Sequence, residues 1–444
     1  MRVREFRGLT SVIGRVTAVV LIIALSACGG AKPFQIDLMP APEVYDEEFN
    51  PFGESGTIGD LPYQGILYAT DRMPATEDSK ERFYLNDRGH YLHLGLAKVK
   101  LARADITWEE VRQISLAKNR SEKYPIEVSG IEEFGALDRS ATLFLPPDAF
   151  GADPHVPAAK FAAAVNSRLA TSKRKDIYIY VHGYKVVFEN PVLVATELWH
   201  FLGYDGVFIA YSWPSTPSKW AYLKDSETAA GFARNLRIFL EYLAEETDAE
   251  QIHVVGYSAG TRLVARTFEQ LALMHHDSAP ERIRDELRLG NLVLIGSDVD
   301  RQVAGSYVAD GMLKVPRHVS VYLSEGDKAL GLSRFLTRRE RLGQMWTDMP
   351  EYLSEYFQDN EADVSFINVT RAEGGTDGNG HGYFRQSPWA SSDILMTLRY
   401  DLSPAARGLV RNEETSIWSF PTDYIQRLRN ALVEINPLLN FTAD

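Results

Sequence analysis

The sequence predicts an α/β fold built on a mostly parallel, doubly wound sheet, and three observations carry that expectation. From Lys175 onward, apolar runs of strand length alternate with segments whose apolar residues recur at helical spacing. The strand-length runs are near-continuous in Ile, Val, Leu and Tyr, the pattern of strands buried on both faces. Between Gln251 and Arg262 the chain reads Q-I-H-V-V-G-Y-S-A-G-T-R. There a β-favouring run enters Gly256-Tyr257-Ser258-Ala259-Gly260, and a helical stripe of Leu263, Val264, Phe268 and Leu271 leaves it. Strand, G-x-S-x-G and helix in direct succession is the setting of a nucleophile elbow. The glycines let strand and helix backbones approach closely while the residue between them takes a strained conformation. Ser258 then stands above the carboxyl edge of the sheet. An incidental serine in a small-residue turn is the bland alternative, and it leaves the register of both flanking elements unexplained.

The elements follow in order. Ile177 to Val181 (I-Y-I-Y-V) reads as a buried strand that ends at His182-Gly183-Tyr184. A helix is expected from Pro191, suited to a first turn, to Leu202, with Gly203 as the stop. Val207 to Tyr211 is the next strand and ends at Ser212-Trp213-Pro214-Ser215. A long helix carrying Phe232, Leu236, Phe239, Leu240 and Leu243 on one stripe precedes the elbow strand. Leu292 to Ile295, Val319 to Leu323 and Phe366 to Val369 complete the parallel set. Upstream, Ile66 to Ala69, His93 to Val99 and Ala141 to Leu145 read as strands of a partly antiparallel leading edge. No internal repeat is visible.

The first 61 residues carry a different message. Arg2, Arg4, Arg7 and Arg15 form a basic front, and an apolar run follows from Val16 to Leu25. That run is short of the about 20 apolar residues needed to span a bilayer. Leu25-Ser26-Ala27-Cys28 closes it, with the only cysteine of the chain in last place. This string resembles a bacterial lipobox, which implies cleavage after residue 27, lipidation of Cys28 and membrane attachment. Gly29 in the next position implies outer-membrane delivery in a Gram-negative cell. Residues 28–61, rich in proline, glycine and acidic side chains, are expected to act as a flexible tether, and 62–444 to form the folded domain. A lone cysteine allows no disulfide within the chain. Loss of residues 1–27 removes four arginines and one glutamate, which takes the net charge from −13 to −16. So acidic a chain is repelled by phosphate backbones, so nucleic acid is not expected as a partner, and Lys173-Arg174-Lys175 reads as a solvated sheet edge.

Several strings carry a family resemblance. They are Y-A-T-D-R at Tyr68 to Arg72, H-G-Y-K-V-V-F-E-N at His182 to Asn190, S-W-P-S at Ser212 to Ser215, and Tyr222 with Asp225. Y-L-S-E-G-D-K-A-L at Tyr322 to Leu330 follows, leading to Leu332-Ser333. Together with the elbow they resemble a bacterial α/β-hydrolase family of unassigned function, within the esterase and lipase superfamily. One departure is plain: that family has H-S-M-G at its serine, where this chain has Y-S-A-G.

The resemblance implies a triad in the order serine, acid, histidine. Of the histidines beyond Ser258, His275 and His276 fall at the far end of the elbow helix, and His318 precedes its strand at the amino edge. His381, in the glycine-rich loop after the last strand, is left as the base. Asp327 is the expected acid, with Asp298 as the alternative; Asp300 and Glu325 fall to turns. The oxyanion hole is expected from the amides of Ala259 and Tyr184, with His182 bracing the loop. Trp213 either walls the acyl pocket or packs on the core. Histidines without ligand spacing and the lack of a phosphate-binding loop motif give no reason to expect a metal or nucleotide cofactor.

The expected protein is a lipid-anchored, extracytoplasmic serine hydrolase that cleaves an ester or similar acyl bond of a small-molecule or lipid substrate. Amidase, peptidase or acyltransferase chemistry on the same triad is the first rival. A non-catalytic envelope lipoprotein on a hydrolase scaffold is the second. Residues 331–363, aromatic and arginine-rich, are expected either to cover the site as a lid or to pack at the periphery.

Overall fold

A computed structural model describes residues 33–46, 49–52, 65–117, 120, 122–145, 150, 153–346, 349–375 and 378–435. One sheet of twelve strands runs through them, in the order β1-β4-β3-β2-β6-β5-β7-β8-β9-β10-β12-β11. The leading strands β1 (Gln35–Asp37), β2 (Ile66–Pro74), β3 (Tyr84–Leu101) and β4 (Pro125–Ala136) pair antiparallel. Then β2 joins the parallel set: β5 (Asp176–Val181), β6 (Val207–Ser212), β7 (Gln251–Tyr257), β8 (Leu289–Ile295), β9 (His318–Leu323) and β10 (Val364–Asn368). The strands β11 (Val410–Arg411) and β12 (Ile417–Ser419) close the far edge.

The period-2 alternation of each strand divides the core in two. On β5, Ile177, Ile179 and Val181 face one layer, while Tyr178 and Tyr180 face the other. Helices α2 (Val156–Thr171), α5 (Ala233–Glu246), α6 (Gly260–Met274) and α7 (Pro280–Leu287) cover the first face through Phe161, Phe239, Leu263 and Ile283. The second face is covered by α3 (Glu189–Phe201), α12 (Pro388–Tyr400) and α13 (Tyr424–Ile435), through Trp199, Leu395 and Leu428. Burial on both faces is why the parallel strands read as unbroken apolar runs. Short helices α1 (Trp108–Ser115), α8 (Arg301–Ala309), α10 (Glu351–Asp359) and α11 (Tyr383–Gln386) lie between these elements, and no helix among the described residues is long and apolar enough to cross a membrane.

A buried ionic knot fixes the acid-bearing end of β9. Asp393 of α12 receives two bonds from Arg407, at 2.7 and 3.1 Å, one from Tyr322 at 2.7 Å and one from Tyr424 at 3.0 Å. Both charges are wholly buried, so the pair persists because every lone pair is met.

Three expectations need correction, and one strand pair is new. Ala141–Leu145 forms no strand: Leu143 and Phe144 stand fully exposed in a turn, and β4, whose polar residues and glycines broke its apolar pattern, takes that place. The tether is folded over its described part, where β1 pairs with β4 and Val44, Tyr45, Phe49 and Phe52 are buried. Those apolar residues follow no helical or strand period, so only tertiary contact reveals them. Phe232 falls outside the helix before the elbow strand: α5 carries Leu236, Phe239, Leu240 and Leu243, while Phe232 stands at the junction with a separate helix, α4 (Tyr222–Gly231). The strand pair β11 and β12 went unread because each is only two or three residues long.

Candidate active site

The elbow begins with backbone geometry. Ser258 sits at φ +53°, the left-handed region, between the end of β7 and the start of α6. Its amide donates to Ile295 O on β8 at 2.9 Å, which ties the turn to the neighbouring strand. A Cβ on Gly260 would lie 2.2 Å from His182 O, and one on Gly183 would lie 2.9 Å from the Ser258 Cβ. Both positions therefore exclude side chains. These two contacts bring the loops after β5 and β7 together at the serine.

Two more loops converge on it. Asp327 follows β9 and His381 follows β10, each at the carboxyl end of its strand. Ser258 Oγ donates to His381 Nε2 at 2.8 Å, and His381 Nδ1 donates to Asp327 Oδ2 at 2.6 Å. The carboxylate fixes the Nδ1–H tautomer and leaves the lone pair on Nε2 toward the serine. Asp327 Oδ1 accepts from Leu330 N at 2.9 Å and so caps α9 (Lys328–Thr337), which locks the acid in its rotamer. The loops are stitched by Lys328 N donating to Asn379 O at 3.0 Å and His381 N donating to Asn379 Oδ1 at 3.1 Å. Gly380, at φ +66°, leaves no room for a Cβ, which would lie 2.3 Å from Gly326 O. Asn379, flanked by Gly378 and Gly380, carries no sequence signal of this stitching.

Among the described residues, the amides of Ala259 and Tyr184 donate to no other group. His182 is fully buried, its ring stacked 5.1 Å from Trp213 at 3°. Its Nδ1 lies 2.5 Å from Gly183 O and its Nε2 3.0 Å from Trp213 O, while Trp213 Nε1 donates back to His182 O at 2.6 Å. Burial holds this imidazole well below its ordinary range. A neutral ring has one N–H, so one of the two carbonyls receives no bond from it. Trp213 thus braces the His182 loop instead of lining the pocket.

A cavity of about 330 Å³ opens at Ser258 and His381, bordered by Tyr184, Lys185, Tyr222, Asp298 and the α9 face of Leu330, Leu332 and Leu336. A family model described as alpha/beta hydrolase of unknown function (DUF900) matches residues 158–399, more than half of the chain. The chain belongs to that family. No curated protein and no solved structure matches it.

In this DUF900 protein the remaining expected residues divide clearly. Asp298, the alternative acid, is not in contact with His381. Its carboxylate is 2% exposed and accepts from Arg262 Nε at 2.8 Å, Tyr222 at 2.7 Å and Ser333 at 2.5 Å, with Arg341 Nε at 3.5 Å. Tyr222 and Ser333, conspicuous in sequence, belong to this knot in the pocket wall. His275 and His276 lie at the end of α6, and His318 opens β9 at the amino edge. Residues 331–363 split: α9 borders the cavity, while Trp346 and Phe357 pack on Phe366 of β10 at 5.7 and 4.5 Å. Cys28 lies outside the described residues. Among the described residues no cluster of His, Cys, Asp and Glu is placed to hold a metal ion.

The Y-A-T-D-R string supports the site from behind. Arg72 is fully buried with no carboxylate in ion-pair range among the described residues. It donates to Ser212 Oγ at 3.0 Å, Asn86 Oδ1 at 2.7 Å, Val186 O at 3.0 Å and Ser215 O at 3.3 Å. One guanidinium therefore ties together the loops after β5 and β6, and burial brings its pKa down to about 9. Its neighbour Asp71 is buried between Tyr211 and Asn235, each donating at 2.6 Å, and desolvation pushes its pKa up to about 7 from 3.8. The folded state thus binds this proton more tightly than the unfolded chain does. The stability Asp71 contributes is complete below about pH 4 and is lost as pH rises through about 7. Urea titrations of wild type and Asp71→Asn across that window should show the wild type losing stability relative to the variant as pH rises; parallel curves would refute the assignment.

Proposed function

We propose that this DUF900 protein is a serine hydrolase that cleaves an ester through an acyl-enzyme. The hydrogen-bonded chain Asp327–His381–Ser258 carries the reading, since a hydroxyl needs a base in reach and a base needs its orienting carboxylate. Ser258 Oγ attacks the ester carbonyl as His381 Nε2 takes its proton. The N–H groups of Ala259 and Tyr184 receive the developing oxyanion. Collapse of the tetrahedral adduct breaks the bond to the alcohol, which leaves with the proton from Nε2. Water then attacks the acyl-enzyme, giving its proton to Nε2, and the second collapse returns that proton to Ser258 and frees the acid. Throughout, Asp327 holds the Nδ1–H and offsets the imidazolium charge. Leucines 330, 332 and 336 on the pocket wall suit an apolar acyl chain.

Asp327→Asn should leave the shape intact, favour the wrong tautomer and lower kcat on the order of 10⁴-fold. Asp298→Asn acts elsewhere: it weakens a buried knot with two arginines, so its loss should appear in Tm, with turnover of the folded fraction far closer to wild type. Turnover of a p-nitrophenyl ester with matched melting curves checks both. Lost turnover in folded Asp298→Asn beside an active Asp327→Asn would overturn the acid's assignment.

We also propose that the enzyme works outside the cytoplasm, held to a membrane by lipid on Cys28, on the strength of residues 2–28 of the sequence. Two or more acyl chains are needed for lasting attachment. Fractionation of cells expressing Cys28→Ser should find the protein unprocessed or released; a processed, membrane-bound variant would sink the anchor.

A further inference from the structure

The cavity at Ser258 carries charge that the proposed ester chemistry does not use. Lys185 and Lys328 both border it, and among the described residues neither ammonium has a carboxylate in ion-pair range. The nearby acids are committed: Asp327 to His381, and Asp298 to Arg262 and Arg341. The cavity is therefore positive in a chain of net charge −13, so composition alone does not explain it.

Both lysines sit at the reacting end. Lys185 directly follows Tyr184, held at φ +68° in the loop after β5. Lys328 directly follows Asp327 and opens α9, with its backbone tied to Asn379. Lys328, Leu332 and Leu336 are spaced four apart, so one row of α9 runs from the ammonium near the triad to apolar side chains farther off. Leu332 and Leu336 stay more than half exposed, an apolar surface beside the nucleophile. An apolar acyl chain laid along that row places the ester at the serine and the alcohol portion between the two lysines.

Resting on the serine hydrolase reading above, we propose that the substrate is an acyl ester of an anionic alcohol, one carrying a phosphate or a carboxylate, with Lys185 and Lys328 binding the anion. Both ammonium groups are solvent-accessible, so the pairing acts on substrate choice and is screened by salt.

The test measures hexanoate release from three soluble esters: 1-hexanoylglycerol, its 3-phosphate, and hexanoylglycerate. Wild type should favour an anionic ester over the neutral one roughly tenfold in kcat/KM at low ionic strength, falling toward parity at about 0.5 M salt. The faster of the two anionic esters tells phosphate from carboxylate. In the folded double variant Lys185→Gln/Lys328→Gln the ratio should approach one. A wild-type ratio near one, or a ratio kept in the double variant, overturns the proposal. p-Nitrophenyl hexanoate separates the two readings. Its turnover with equal rates on the three glycerol-type esters defeats the anion site alone, and no turnover of any ester with no fluorophosphonate label on Ser258 defeats both.

Discussion

One backbone constraint organises this protein: the left-handed turn at Ser258, which no L-residue adopts without strain. The turn persists because its surroundings over-determine it. Ile295 O holds the serine amide, Gly260 lies against His182 O, and Gly183 lies against the serine's own Cβ. A twisted sheet with helices on both faces supplies the rigidity, and the serine is lifted to the edge where the loops after β5, β9 and β10 meet. Strain of this kind costs on the order of 1–3 kcal/mol, which the two buried cores on either side of the sheet readily sustain.

Around the turn the buried charges fall into separate knots, each with its own work. Asp393 and Arg407 anchor β9 and so the loop that presents Asp327. Asp298 with Arg262 and Arg341 builds the pocket wall. Arg72, with no carboxylate in ion-pair range among the described residues, ties the loops that carry Tyr184 and Trp213. None of these knots shares an atom with the chain Asp327–His381–Ser258. Supporting structure and proposed chemistry are thus physically separable by mutation.

The sequence made some of this legible and left the rest hidden for physical reasons. The parallel strands announced themselves because burial on both faces demands unbroken apolar runs, and the elbow because the turn needs glycine at fixed positions. His381 could be singled out because the order of strands in a parallel sheet leaves few histidines at the carboxyl edge. Trp213 and Asp298 stayed ambiguous, since a buried side chain's partners come from elements distant in sequence. Arg72 and Asn379 were missed as site supports for the same reason: the contacts that tie the site loops together lie far off in sequence, Val186, Ser212 and Ser215 for Arg72 and the Lys328 amide for Asn379. The burial of Tyr45 and Phe52 was invisible because an irregular segment packed on a domain has no period to read.

The most direct measurement of the central claim is the mass of the enzyme caught in mid-reaction. Rapid acid quench of a stoichiometric mixture with a p-nitrophenyl ester, followed by peptide mapping, should find one acyl group on the peptide that contains Ser258. The adduct should be absent from Ser258→Ala. Ester turnover with no acyl group on that peptide, or equal turnover in Ser258→Ala, would contradict an acyl-enzyme at this serine.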